Sequence, residues 1–390
     1  MAPRTRTRHL RRLALTGIAT LAATTLTAPA ALADSPTPAG AHSATQRAMN
    51  TAVQDGVPGV AAQAKDIHGT WKATAGVGDL QTKKPRSAKD HYRVGSITKT
   101  FVSTVVLQLE AEGRLSLDDT VDKWLPGLVD GHGHDGRRIT LRQLLNHTSG
   151  IFNYTADDTF ARTYYLKDGF FEHRFDELSP RELVRIATSH EPDFAPGTSW
   201  NYSNTNYVLA GLVIEKATGH AYGDEVRQRI IEPLGLGATL VPGTYPKVPG
   251  PSSRTYAKLA ETTTGPTYDV TELNPGLASA SGEMISDAGD LNRFYSALLR
   301  GELLPRKQLA EMKTTVEVSA IPKAAYGLGL IERELSCGVV VWGHGGGMYG
   351  SSSEAVTTAD GRHSLAFNFN GDWSGDTDAV IEAEYCPKPR

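Results

Sequence analysis

The chain has 390 residues, 39% of them hydrophobic, with 39 Gly, 21 Pro, two Cys and a formal net charge of −3. Ordinary hydrophobicity and low net charge exclude a disordered chain, and two cysteines exclude a disulfide scaffold. The slightly acidic balance lacks the concentrated basic surface that a nucleic-acid binder needs.

Residues 1–33 read as a secretory signal peptide. Arg4, Arg6, Arg8, Arg11 and Arg12 form a basic head, and no acidic residue precedes Asp34. Residues 13–33 are apolar and small, ending Ala31-Leu32-Ala33, the pattern of a cleavage site. Secretion with cleavage near Ala33 is therefore expected. No later run approaches the ~20 apolar residues of a membrane span. Residues 34–45 read as a linker and 46–390 as the folded domain. Export to an oxidising compartment pairs Cys337 with Cys386 as a staple without chemistry.

Within the domain, 43–55 reads as a helix stopped by Gly56. Residues 60–66 and 71–75 flank His68-Gly69 as a hairpin. A buried apolar helix spans 96–111. The stretch 116–274 is helical and loop-rich. Thr140 with Gln143 and Ser179 with Glu182 fit the capping box, and Pro180 suits a first helical position. Further helices are expected over 205–217, closed by Gly219, and 286–300. The tail changes period: 326–333, 337–344, 354–358 and 364–370 read as strands, with a turn at Asp360-Gly361 and a final helix near Asp376. The expected class is α+β. A mostly antiparallel sheet with packed helices (about 46–115 and 275–390) carries a helical insert (about 116–274), with a cleft between them.

Four constellations could carry chemistry. Ser96-Ile97-Thr98-Lys99 places a hydroxyl and an amine on one helix face. A desolvated Lys can activate a Ser, although an N-cap Ser with a surface Lys gives the same pattern. Tyr202-Ser203-Asn204 sits before a helix, so Tyr202 and Asn204 can face one cleft. Tyr relays a proton where neighbouring cations favour its phenolate; a helix cap and a packed ring are the bland alternative. An apolar strand runs into His344-Gly345-Gly346-Gly347, where glycines permit close ligand approach. Gly345, Gly347 and Gly350 also match G-x-G-x-x-G, but too little chain follows for a dinucleotide fold. His132-Gly133-His134-Asp135 lacks the further spaced ligand a zinc site needs.

The ordered set of Ser-x-x-Lys, Tyr-x-Asn and His-x-Gly resembles the penicillin-recognising serine hydrolases. These are class C β-lactamases, DD-peptidases and related esterases and D-aminopeptidases. The likeness spans nearly the whole chain after residue 33. It is carried by SITKTFVSTVVLQL, LLNHTSG, YSNTNYVLAGLVIEKATGH, and YGLGL through LSCGVVVWGHGG. It is closest in pattern to the secreted D-Ala-D-Ala carboxypeptidase/transpeptidase branch.

The resemblance implies a β-lactamase/transpeptidase-like fold with a five-stranded antiparallel sheet. It implies a Ser96 acyl-enzyme, proton transfer shared by Lys99 and Tyr202 with the acylation base undecided, and His344 supporting that network. Asn204 and Gly345–Gly347 would bind substrate, the N–H groups of Ser96 and Gly347 would form an oxyanion hole, and no cofactor or metal is needed. Expected substrates are D-alanyl-D-alanine-like peptides such as peptidoglycan stems, with acylation by β-lactams. An esterase, D-amino-acid amidase or β-lactamase is the alternative, and a non-catalytic penicillin-binding module is the rival.

Two departures favour the alternative. The branch reads His-Thr-Gly-Thr where this chain has His344-Gly345-Gly346-Gly347, and it has Arg at the place of Ile331, where it grips a terminal carboxylate. Arg333, two residues on and on the same strand face, is the expected substitute.

Overall fold

The computed structural model describes residues 42–318 and 323–387. The expected signal peptide and residues 34–41 of the expected linker lie outside the described residues. A helix already starts at Ser43, inside the span 34–45 read as linker.

In chain order, α1 (Ser43–Gln54) leads into β1 (Gly59–Asp66), β2 (Gly69–Gly76) and α2 (Thr98–Ala111). The middle contains α3 (Pro180–Thr188) and α4 (Asn204–Thr218) among shorter helices, and α5 (Ala288–Leu299) follows. The tail holds β3 (Val316–Glu317), β4 (Ala324–Tyr326), β5 (Ile331–Glu334), β6 (Val340–Met348), β7 (Ser351–Thr358), β8 (Ser364–Phe369) and α6 (Thr377–Tyr385). Local chemistry sets several ends. Thr140 and Ser179 each close a capping box, and Gly219 ends α4 in the left-handed conformation.

One antiparallel sheet runs β2-β1-β8-β7-β6-β5-β4-β3. The expected five strands are its long ones, β1, β2, β6, β7 and β8. Three short strands widen it to eight. Residues 326–333, read as one strand, are instead a hairpin. Gly327 N–H bonds the Leu330 carbonyl at 2.7 Å, and Gly329 has φ +69°. The next strand starts at Val340 rather than 337, because Gly338 turns the chain (φ +82°), and it runs on through the glycine cluster to Met348.

Alternation along the strands divides two cores. Val341, Val356, Phe367 and Phe369 pack under α1 and α6. Trp342, Ala355 and Ala366 face α2 and α5, in a larger core shared with Leu144, Leu183, Val208 and Ile214 of the helical middle. Cys337 and Cys386 form a disulfide with Cα atoms 5.7 Å apart, tying the β5–β6 turn to the end of α6. Among the described residues no helix is long and apolar enough to cross a membrane.

Candidate active site

Ser96 is delivered by a 3₁₀ turn, Gly95–Ile97, directly before α2. The turn lies against β6, backbone on backbone, and two glycines make that approach possible. Gly95 has φ +53°, and a Cβ there would stand 2.7 Å from the Gly347 nitrogen and oxygen. A Cβ on Gly346 would stand 2.0 Å from the Val94 carbonyl oxygen and 2.7 Å from the Ser96 nitrogen. Replacing either hydrogen therefore pushes the strand off the serine.

Lys99, the second residue of α2 and one turn on from Ser96, is fully buried. Its Nζ lies 2.9 Å from Ser96 Oγ, 2.8 Å from Asn204 Oδ1 and 2.7 Å from the Ser281 carbonyl oxygen. Asn204 opens α4. Its N–H is given to Asn153 Oδ1 and its Nδ2 donates to Thr155 Oγ1. Two residues earlier, the Tyr202 ring lies with its centroid 4.8 Å from Lys99 Nζ. His344, on β6, is buried; its Nδ1 lies 2.5 Å from the Gly345 carbonyl oxygen and its Nε2 lies 2.9 Å from Tyr326 Oη.

Burial pushes the Lys99 amine well below the usual lysine value of 10.5. Once the amine sheds its proton it has two N–H groups, which Asn204 Oδ1 and the Ser281 carbonyl can accept, and one lone pair, which then faces the Ser96 hydroxyl. Burial raises Tyr202, with its interaction with Ser96 opposing, so it stands as a phenol at neutral pH. The condition for a phenolate, cations that favour it, is not met: burial is the largest cause and favours the phenol. Burial, and then the proximity of Lys99, lower His344 to about 3.

A cleft of about 460 Å³ opens above these groups. Ser96, Asn204 and Gly347 lie at its base, and Tyr154, Phe160, Tyr165, Tyr349 and Trp373 line its walls. Lys258, the one lysine or arginine among the lining residues, is tied down. Its Nζ donates to the Gly265 carbonyl and Thr267 Oγ1 and sits over the Trp373 ring. Among the described residues no cluster of His, Cys, Asp or Glu is arranged to hold a metal ion.

The fold thus gathers Ser96, Lys99, Tyr202, Asn204, His344, Gly346 and Gly347. It does not bring Arg333 there, and the expected carboxylate grip is corrected. Arg333 stands opposite Val341, on the sheet face packed by α1 and α6. There Glu354 Oε2 holds it at 3.2 Å and Asp378 Oδ1, on α6, at 3.1 Å. Gly345 faces the same way: a Cβ there would stand 2.4 Å from a Glu354 oxygen. Ile331 is buried against Val318 and Tyr326. Three groups escaped the sequence reading. His147 lies inside LLNHTSG and Tyr326 opens YGLGL, and no spacing in the sequence links either to Ser96. Ser281 acts through its carbonyl, which no reading of side chains reaches.

Comparison with known proteins agrees with this geometry. The family model described as Beta-lactamase matches residues 37–381. The chain is 58% identical to a D-stereospecific amidohydrolase from Streptomyces sp. of known structure, with a TM-score of 0.85 over 89% of this chain and 99% of that one. A D-amino acid amidase from Ochrobactrum anthropi SV3, solved with D-phenylalanine, is 28% identical with a TM-score of 0.76, covering 88% and 98%. Penicillin-binding protein 4* of Bacillus subtilis is 28% identical over 80% of this chain and 67% of its own length. Esterase EstB of Burkholderia gladioli is 33% identical over 43% and 42%. With a match across nearly all its length and this serine and lysine at its cleft, the chain belongs to the β-lactamase/transpeptidase-like family of serine hydrolases.

Proposed function

We propose that the protein is an exported D-stereospecific amidohydrolase that cleaves amides of D-amino acids with an apolar or aromatic side chain. Ser96 Oγ attacks the amide carbonyl carbon while its proton passes to Lys99 Nζ. The N–H groups of Ser96 and Gly347 carry the developing oxyanion. Collapse breaks the C–N bond, and the proton returns from Lys99, by way of the Tyr202 hydroxyl, to the leaving nitrogen. Water then attacks the ester with Lys99 again as base, releasing the acid and restoring Ser96. Asn204 Nδ2 orients the acyl portion.

The observation that carries this reading over a D-Ala-D-Ala carboxypeptidase is the missing arginine in the cleft. Arg333 is paired on the other face of the sheet, His344 is held neutral, and Lys258 gives two of its three N–H groups to the Gly265 carbonyl and Thr267 Oγ1. A terminal carboxylate would find no arginine fork, and the loss of such a charge-assisted contact costs about 1.5–3 kcal/mol. The aromatic walls suit a larger side chain than the methyl of alanine. The D-preference rests on the relatives named above. The expected signal peptide and the disulfide support export.

Purified protein should turn over D-phenylalaninamide at least about tenfold faster, by kcat/KM, than its L-enantiomer or an acyl-D-Ala-D-Ala peptide. Faster release of D-Ala from the peptide would reinstate the carboxypeptidase. Ser96→Ala and Lys99→Met should each lower kcat by about 10²–10⁴ or more, the range for losing a nucleophile or its base.

A further inference from the structure

Behind the cleft, His147, Tyr326 and His344 form a buried chain whose hydrogen-bond direction can be read link by link. The Ser203 backbone N–H points at His147 Nδ1 at 3.2 Å. The Asn206 amide nitrogen meets the same atom at 3.3 Å, while Ser149 Oγ occupies the amide oxygen. His147 Nδ1 is therefore an acceptor, and Nε2 carries the proton. That Nε2 lies 3.2 Å from Tyr326 Oη. At the other end, a carbonyl can only accept, so His344 Nδ1 carries a proton to the Gly345 oxygen at 2.5 Å. His344 Nε2, 2.9 Å from Tyr326 Oη, is then the acceptor of the tyrosine proton. Each group donates once along the line and no ring nitrogen is left unpaired. All three side chains are at most 2% exposed, so water does not compete.

We infer that Tyr326 is a positioning residue: with its own hydroxyl oriented by His147, it fixes His344 as the Nδ1–H tautomer. The consequence is carried along β6. The Nδ1–H holds the Gly345 carbonyl, and that peptide leads directly into Gly346 and Gly347, the stretch pressed against Ser96. The His147 ring also lies beside Tyr202, tilted by 34° with centroids 4.2 Å apart, and the Tyr326 ring stands 6.2 Å from that of Tyr202. One hydroxyl thus sets both the strand and the packing behind the proton relay. His344 itself serves as a strut rather than as an acid or base, since its second nitrogen is engaged. The inference rests on Ser96 being the nucleophile, and it holds whatever the leaving group.

Nitrogen-15 NMR of histidine-labelled protein reads the tautomer without reference to activity. The His344 resonances should show protonated Nδ1 and bare Nε2 in the wild type, and Tyr326→Phe should shift the Nε2 signal away from its hydrogen-bonded position. A protonated Nε2 in the wild type overturns the inference. Kinetics test the route. Tyr326→Phe should lower kcat for D-phenylalanine p-nitroanilide about tenfold with KM within threefold, and should slow phosphonylation of Ser96 by a fluorophosphonate to a similar degree. The second reagent needs no correct guess of substrate, so failure of the amide reading alone leaves it readable. In the pair Tyr326→Phe/His344→Gln the loss should equal that of His344→Gln alone. Additive losses would mean that the hydroxyl does not act through His344.

Discussion

A single missing carbon separates three neighbouring glycines. Gly346 is walled in by the Val94 carbonyl and the Ser96 nitrogen, and Gly345 by the Glu354 carboxylate. Gly347 has nothing within 4 Å of where its Cβ would stand. Gly347→Thr is therefore expected to keep the thermal midpoint within about 2 °C and to place a hydroxyl at the base of the cleft. Gly346→Ala should abolish amide turnover, because the only relief is to move β6 away from the turn that carries Ser96. Thermal melts and kcat on both variants decide it. Equal tolerance at both positions would mean that the strand and the turn are not in close contact. The charge of Arg333 belongs to the same set. Glu354 and Asp378 hold it where a Gly345 side chain would collide, so restoring a grip on carboxylates needs more than one substitution.

Elements announced themselves where their ends carry chemistry of their own. The capping boxes at Thr140 and Ser179 and the left-handed Gly219 were legible because two or three adjacent residues suffice to set them. The hairpin at 327–330 was not, since Tyr326 to Arg333 alternates as one strand would and only Gly327 and Gly329 hinted at the turn. The face on which Arg333 lies was also hidden. Two residues of spacing fix a common side for Ile331 and Arg333, but which side faces the cleft depends on the pairing of Arg333 with Val341.

At the level of two packed elements, α1 and α6 are clasped by Glu384, which receives His42 Nδ1 at 2.9 Å, His363 Nε2 at 2.8 Å and Thr45 Oγ1 at 2.6 Å. Burial would raise the Glu384 carboxyl, but these bonds outweigh it and lower it to about 2. Burial would lower His42, and the Glu384 carboxylate outweighs that and raises it above 6.5. The carboxylate's contribution is complete above its unfolded value near 4.5 and is lost as pH falls toward about 2. The imidazolium's contribution is complete below 6.5 and is lost as pH rises through its raised value. Thermal stability should therefore peak between about pH 4.5 and 6.5. Glu384→Gln should flatten that peak, with a loss on the order of 2–3 kcal/mol at its top. An unaltered pH profile in the variant would remove the clasp from the account.

Across the whole molecule, three motifs separated by more than a hundred residues each converge because β6 and the helical middle share one core with α2. The order of those motifs was legible in the sequence. Their convergence follows from long-range packing that no local window contains. The disulfide acts at this scale as well. It closes a loop of 49 residues, so loop-closure entropy gives about 4 kcal/mol to the folded state. Cys337→Ser/Cys386→Ser should lower the guanidinium midpoint accordingly while leaving kcat at 25 °C within about twofold, because the bridge lies on the side of the sheet away from Ser96. A collapse of kcat in a protein that is still folded would tie the bridge to the site.

The clasp between α1 and α6 has a practical outcome. The His42 and Glu384 side chains meet directly, so a short linker running from beyond Cys386 to the start of α1 would close a ring with the disulfide kept, and a new break could be opened in an exposed loop elsewhere. A fusion partner or a solid support joined at either helix would sit behind the enzyme, with the mouth of the reaction chamber facing outward.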